Sequence, residues 1–213
     1  IKLGMGLVAT LTALVLGLVI ATAKGTYDTQ LAAVKHTAAK VLLIDRVLSH
    51  YGPETKEIRD RIRQAVADRF HAIWPEDHSQ PVRMDTPEAV AVNQGIEIRI
   101  LQLEPQNNIQ RWLQSQALQI SSDIMETRWL VVGDRGSSVP LPFLVVVVIW
   151  LTILFGSFGL LAPRNLTVTA VLFLSALSVA ASIFLILEMD QPFEGLIKIS
   201  GEPMRYALSH LGQ

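Results

Sequence analysis

Side chains able to carry chemistry are scattered along the sequence and form no familiar catalytic or metal-binding pattern. The five histidines show neither His-x-x-His nor His-Glu-x-x-His spacing: His36, His50, His71, His78 and His210. Glu76-Asp77-His78 offers three metal-ligand types, but in a polar loop such a cluster is more often solvated charge. Cysteine, a glycine-rich phosphate loop and a nucleophile elbow are all absent from the sequence. The sequence therefore predicts no enzyme activity, no cofactor and no bound metal.

Two acids, Glu188 and Asp190, follow the last apolar stretch directly. The carboxyl end of a helix is the negative end of its dipole, so carboxylates are unfavourable there without compensation. We therefore expect structural ion pairs that join Glu188 and Asp190 to basic residues such as Arg128, Arg135 or Lys198. The alternative interpretation is a cytoplasmic vestibule or cation site.

Long apolar stretches frame these residues. Half of the 213 residues are apolar and 17% are charged, against about a quarter charged in ordinary soluble domains. Residues 3–23, 136–163 and 165–187 contain no ionisable side chain, and the last two stretches are separated only by Arg164. A helix needs about 20 apolar residues to cross a bilayer. The second stretch is rich in β-branched residues, Val145–Ile149, which favour a strand in water. In lipid, however, every backbone group needs a partner within the protein, and a single segment achieves this as a helix. The sequence predicts an all-α integral membrane protein with three transmembrane helices.

Amphipathic helical patterns fill the space between the first and second crossings, with breaks at Tyr51-Gly52-Pro53, Trp74-Pro75 and Pro105. The last residues mix apolar and polar side chains, which predicts a helix docked on this domain or lying on the membrane surface. The predicted organisation is a transmembrane helix at 1–24, a helical cytoplasmic domain at 25–138, a transmembrane helical hairpin at 139–188 and an amphipathic cytoplasmic tail at 189–213.

Charge indicates the partners and the orientation. The net charge of −1 gives no reason to expect nucleic acid, so the lipid bilayer is the first predicted partner. Basic residues near the membrane ends are Lys24, Arg128, Arg135 and Lys198 on the side of the central domain, against Lys2 and Arg164 on the other. The positive-inside rule therefore favours an inner-membrane protein with a cytoplasmic central domain and tail. A cytoplasmic amino terminus would require a fourth crossing upstream of Ile1.

The first crossing carries a stripe of small residues. Ala9, Ala13, Gly17 and Ala21 recur every four residues on one face of the helix, and small residues at that spacing let two helices approach closely in lipid. We expect this face to pack against another helix, in the same chain or in a neighbouring subunit. The opposite face carries Leu7, Leu11, Leu14, Leu18 and Thr22.

Three segments in the second half resemble a bacterial membrane family described as bestrophin-like. They are Gly136–Phe143, Phe158–Asn165 and Leu187–Gly195, and Tyr51-Gly52-Pro53-Glu54 fits the same family. The family is remotely similar to the bestrophins, which are pentameric, anion-selective channels with four crossings and a large cytoplasmic helical region. The resemblance implies that one crossing precedes this chain and that the helix at residues 3–23 is the pore helix.

The resemblance also implies roles for individual residues. Leu14, Leu18 and Thr22 would line a narrow apolar neck, and Lys24 would raise the anion concentration at its mouth. The implied function is an oligomeric channel for small, chloride-like anions, a homo-pentamer by analogy. The alternative is a non-conducting membrane scaffold or accessory subunit that binds a partner protein through its cytoplasmic helices.

Overall fold

The computed structural model describes residues 2–75, 87–133, 141–163, 165–193 and 195–212. In these ranges the chain forms helices and no strand, which confirms the all-α prediction. The α helices are α1 (Lys2–Tyr51), α2 (Lys56–Ile73), α3 (Pro87–Leu101), α4 (Asn108–Gly133), α5 (Leu141–Leu161), α6 (Leu166–Met189) and α7 (Glu202–His210).

Three of the described helices are long and apolar enough to cross a membrane. They are α1, α5 and α6, with apolar windows within Gly6–Tyr51, Pro142–Leu161 and Leu166–Met189. The three predicted crossings are therefore confirmed as helices. The first does not end where the apolar stretch ends, because α1 continues through Lys24 to Tyr51 as one helix of 50 residues.

The end of α1 follows from local chemistry. Gly52 has φ 148°, a conformation that favours glycine, and a single 3-10 turn, Pro53–Thr55, leads into α2. The buried Thr55 hydroxyl lies 2.6 Å from the Leu48 carbonyl oxygen and 2.8 Å from that of Gly52. The hydroxyl thereby engages the carbonyl end of α1, where the backbone oxygens have no helical donor.

Contacts divide the chain into two compact units. The membrane unit comprises residues 1–29 and 136–197, and the bundle unit comprises residues 30–135 and 198–213. The first division falls five residues after the predicted boundary at residue 24. The predicted tail is divided between the units, because residues 189–197 belong to the membrane unit and the remainder to the bundle unit.

Four helices build the main core of the bundle unit. α1, α2, α3 and α4 each bury two aliphatic side chains in it, at the three- to four-residue spacing of an amphipathic helix. They are Ile44, Leu48, Ile58, Ile62, Ile96, Ile100, Ala117 and Ile120. Burial of each large side chain contributes about 1.5–3 kcal/mol, so this core stabilises the packing of the four helices.

The end of the chain docks on the bundle unit. Met204 and Ala207 of α7 are buried in one cluster with Ala38 and Phe70. The Trp74 indole Nε1–H donates to the Ile199 carbonyl at 2.8 Å. For residues 198–212 the structure therefore selects docking on the helical domain, one of the two alternatives that the sequence left open.

A buried carboxylate fastens three parts of the bundle unit together. Asp45 of α1, 5% exposed, accepts hydrogen bonds from Arg59 Nε at 2.8 Å and Nη2 at 3.0 Å. It also accepts the Gly212 backbone N–H at 3.1 Å. The hydrogen bond to Asp45 raises the pKa of Arg59 above its ordinary value, although burial of the guanidinium opposes this. One carboxylate thus links α1, α2 and the residues after α7.

Candidate functional site

The candidate site is the surface of α1 within the membrane unit, and its own chain covers one side of it. Val19 and Ala23 are buried against Ile186 of α6. The half-buried side chains around them are Val15, Leu16, Leu144 and Met189. This side of α1 is therefore occupied by α5 and α6.

The small-residue stripe lies on a second side of α1. Ala13, Gly17 and Ala21 are exposed and Ala9 is half-buried. A Cβ atom added to Gly17 would meet no atom within 4 Å. The stripe is therefore not where α1 packs on α5 and α6, and its predicted contact with a neighbouring subunit stays a prediction.

The leucine face is a third side. Leu7, Leu14 and Leu18 are 62%, 72% and 63% exposed, and Thr22 is also exposed. Because an α helix turns about 100° per residue, this face, the stripe and the covered side lie roughly a third of a turn apart. The Thr22 hydroxyl donates to the Leu18 carbonyl at 3.0 Å, so its proton is held by the helix.

Lys24, predicted to lie at the mouth of the pore, follows the apolar part of α1. Its spacing of three residues from Ala21 puts it on the side of the small-residue stripe. Its ammonium forms an ion pair with Asp28, one turn further along α1, and the two side chains are 56% and 52% exposed. Sequence reasoning missed Asp28, although the four-residue spacing of opposite charges was a signal for this pair.

Glu188 is stabilised by backbone donors. Its carboxylate accepts the backbone N–H groups of Leu196 and Ile197, the latter at 3.1 Å. Gly195, which lies in the turn between α6 and these two residues, has φ 82°. A Cβ atom at this position would overlap the Glu188 carboxylate. Backbone donors of the turn after α6 thus offset the charge of Glu188, and no described basic side chain forms an ion pair with it.

The other members of the predicted ion pairs are Arg128, Asp190 and Arg135. Arg128 is 7% exposed and Asp190 is half-buried, and each engages in an interaction. Arg135 lies outside the described residues. Pairing among these three stays a prediction.

The described residues contain no group of three or more His, Asp or Glu side chains arranged to hold a metal ion. The tripeptide Glu76-Asp77-His78 lies outside those residues. The geometry that remains for function is the α1 surface, with an apolar face, a small-residue face and one ion pair.

Comparison with known protein families finds a match over most of the chain. The family profile described as the bestrophin-like domain matches residues 1–204. No curated protein and no solved structure matches the chain.

Proposed function

Because this chain belongs to the bestrophin-like family, we propose that it assembles into an oligomeric channel for small anions in the inner membrane. The α1 helices of the subunits surround the conduction path, and the bundle unit lies in the cytoplasm. Basic residues near the membrane ends support this orientation through the positive-inside rule.

The observation that carries the proposal is the division of α1 into three sides. Its own chain covers the side of Val19 and Ala23, while the small-residue stripe and the leucine face remain free. A helix in a ring needs these three sides: one for its own subunit, one for the next subunit and one for the axis. Small residues suit the side towards the next subunit, because they allow close backbone approach in lipid.

The leucine face suits the side of α1 that lines the axis of the ring. Leu14 and Leu18 lie one turn apart, about 6 Å along the helix, and would form successive apolar rings in an oligomer. Apolar constrictions of this kind control ion passage by excluding or admitting water. The apolar parts of the three crossings carry no ionisable residue, whereas proton relays and ion-coupled transporters usually keep acids or bases there. A passive channel therefore fits better than a coupled transporter.

The direct test joins two measurements on detergent-purified protein: its mass, and chloride efflux after reconstitution into liposomes. We expect an oligomer of one fixed size and efflux that depends on the amount of protein. A monomer that gives no efflux above protein-free liposomes would contradict the proposal.

Exposed apolar side chains of the bundle unit favour a second candidate, a non-conducting scaffold that binds a partner protein. Four large apolar side chains on α3 and α4 are more than half exposed: Ile98 at 52%, Leu101 at 58%, Ile109 at 72% and Trp112 at 60%. Exposed aromatic and aliphatic side chains are typical anchors of protein interfaces. A partner that co-purifies at fixed stoichiometry, together with absence of efflux, would favour this function.

A further inference from the structure

The first charges beyond the apolar part of α1 are two opposite ones. After Lys2 the next ionisable side chain is Lys24, and Asp28 is the next acid. The two form an ion pair along one face of α1, and about half of each side chain is exposed. The ammonium of Lys24 therefore presents little net positive charge at the end of the crossing.

The surface directly below the leucine face is neutral. The seven-residue spacing of two helical turns puts Gly25 below Leu18 and Thr29 below Thr22, and Gly25 and Thr29 are both exposed. The Thr29 hydroxyl donates to the Gly25 carbonyl at 2.9 Å, as that of Thr22 does to Leu18. Both hydroxyl protons are thus engaged, and the lone pairs that remain do not attract an anion. The first charged side chains after the crossing, Lys24 and Asp28, lie beside this surface, on the side of the small-residue stripe but beyond its last residue, Ala21. Selection between anions and cations therefore depends on this ion pair.

We infer that Asp28 is a specificity-determining residue, which rests on the proposed channel function. The carboxylate of Asp28 offsets the charge of Lys24, so that the preference of the mouth for anions is weaker than an unpaired Lys24 would make it. The permeability ratio of chloride to potassium is set by the balance of these two side chains. An unpaired Lys24 would focus anions at the mouth, as a single-sign charge does in a confined site.

The test measures reversal potentials of the full chain in planar bilayers across a potassium chloride gradient. Asp28→Asn should raise the chloride-to-potassium permeability ratio, and Lys24→Gln should lower it, each by roughly three- to tenfold, because a unit charge acts at short range in every subunit. The double variant should return close to the original ratio. Asp28→Glu keeps the charge and should leave the ratio unchanged.

Asp68→Asn is the matched control, since it removes one exposed carboxylate from α2 of the bundle unit and changes the net charge equally. The shifts should shrink at high salt, because exposed charges are screened over a few ångströms at about 1 M. If the channel conducts and Asp28→Asn behaves as Asp68→Asn does, the inference is overturned while the channel function stands. If the unaltered protein does not conduct, the channel function fails and this inference with it.

Discussion

Asp45→Ala is expected to destabilise the bundle unit by about 3–5 kcal/mol, the usual cost of removing one partner from a buried ion pair. The change leaves the Arg59 guanidinium without its carboxylate acceptor, with 17% of that side chain exposed. It also removes the acceptor of the Gly212 N–H. Hydrogen exchange should show lost protection throughout the bundle unit, with the backbone amides of α7 and the residues after it among the first affected.

Asp68→Ala is the matched control for this change, since Asp68 is exposed on α2. Surface substitutions of this kind usually alter stability by less than about 0.5 kcal/mol. Equal exchange rates in the two variants would contradict the role assigned to Asp45. Lost protection confined to α7 would limit that role to holding the end of the chain.

Gly17→Leu is expected to abolish the oligomer and, with it, chloride efflux. The leucine side chain would hold two helices apart where the stripe needs close approach. Because an added Cβ at Gly17 meets no atom within 4 Å, the fold of a single subunit should remain intact. The mass of the detergent-purified variant should therefore be that of a monomer, and its efflux should fall at least tenfold.

Gly156→Leu on α5 supplies the control, because a Cβ at Gly156 also meets no atom within 4 Å. This variant should keep the original mass and efflux. Oligomers of normal size in Gly17→Leu would show that the stripe is not the subunit contact. Loss of the oligomer in both variants would point to a general effect of bulk in the membrane unit.

Sequence alone predicted the helices well where local chemistry decides them. Proline lacks a backbone N–H, and Gly52 takes a φ that favours glycine. The end of α1 could therefore be located from the tripeptide Tyr51-Gly52-Pro53. The crossings were predictable because backbone pairing in lipid outweighs the strand preference of the Val145–Val148 run. The small-residue stripe was visible from its four-residue spacing, which fixes the side of the helix but not the partner.

Contacts between residues that are far apart in the chain could not be predicted from the sequence. Asp45 and Gly212 are 167 residues apart, and no periodicity links a carboxylate on α1 to a backbone N–H near the end of the chain. The partners of Glu188 were likewise not predictable, because backbone N–H groups of a tight turn can stabilise a carboxylate as a basic side chain does. That choice depends on the turn at Gly195, which only the structure supplies.

The measurement that tests the central claim most directly uses a single introduced thiol, since these 213 residues contain no cysteine. Leu18→Cys places the thiol on the leucine face of α1, and Leu174→Cys places one on α6, where the original side chains are 63% and 62% exposed. A charged, water-soluble thiol reagent is added to liposomes during chloride efflux. If α1 lines the conduction path, efflux through Leu18→Cys is blocked and efflux through Leu174→Cys continues. Continued efflux through a fully modified Leu18→Cys, or equal block of both variants, would contradict a path along α1.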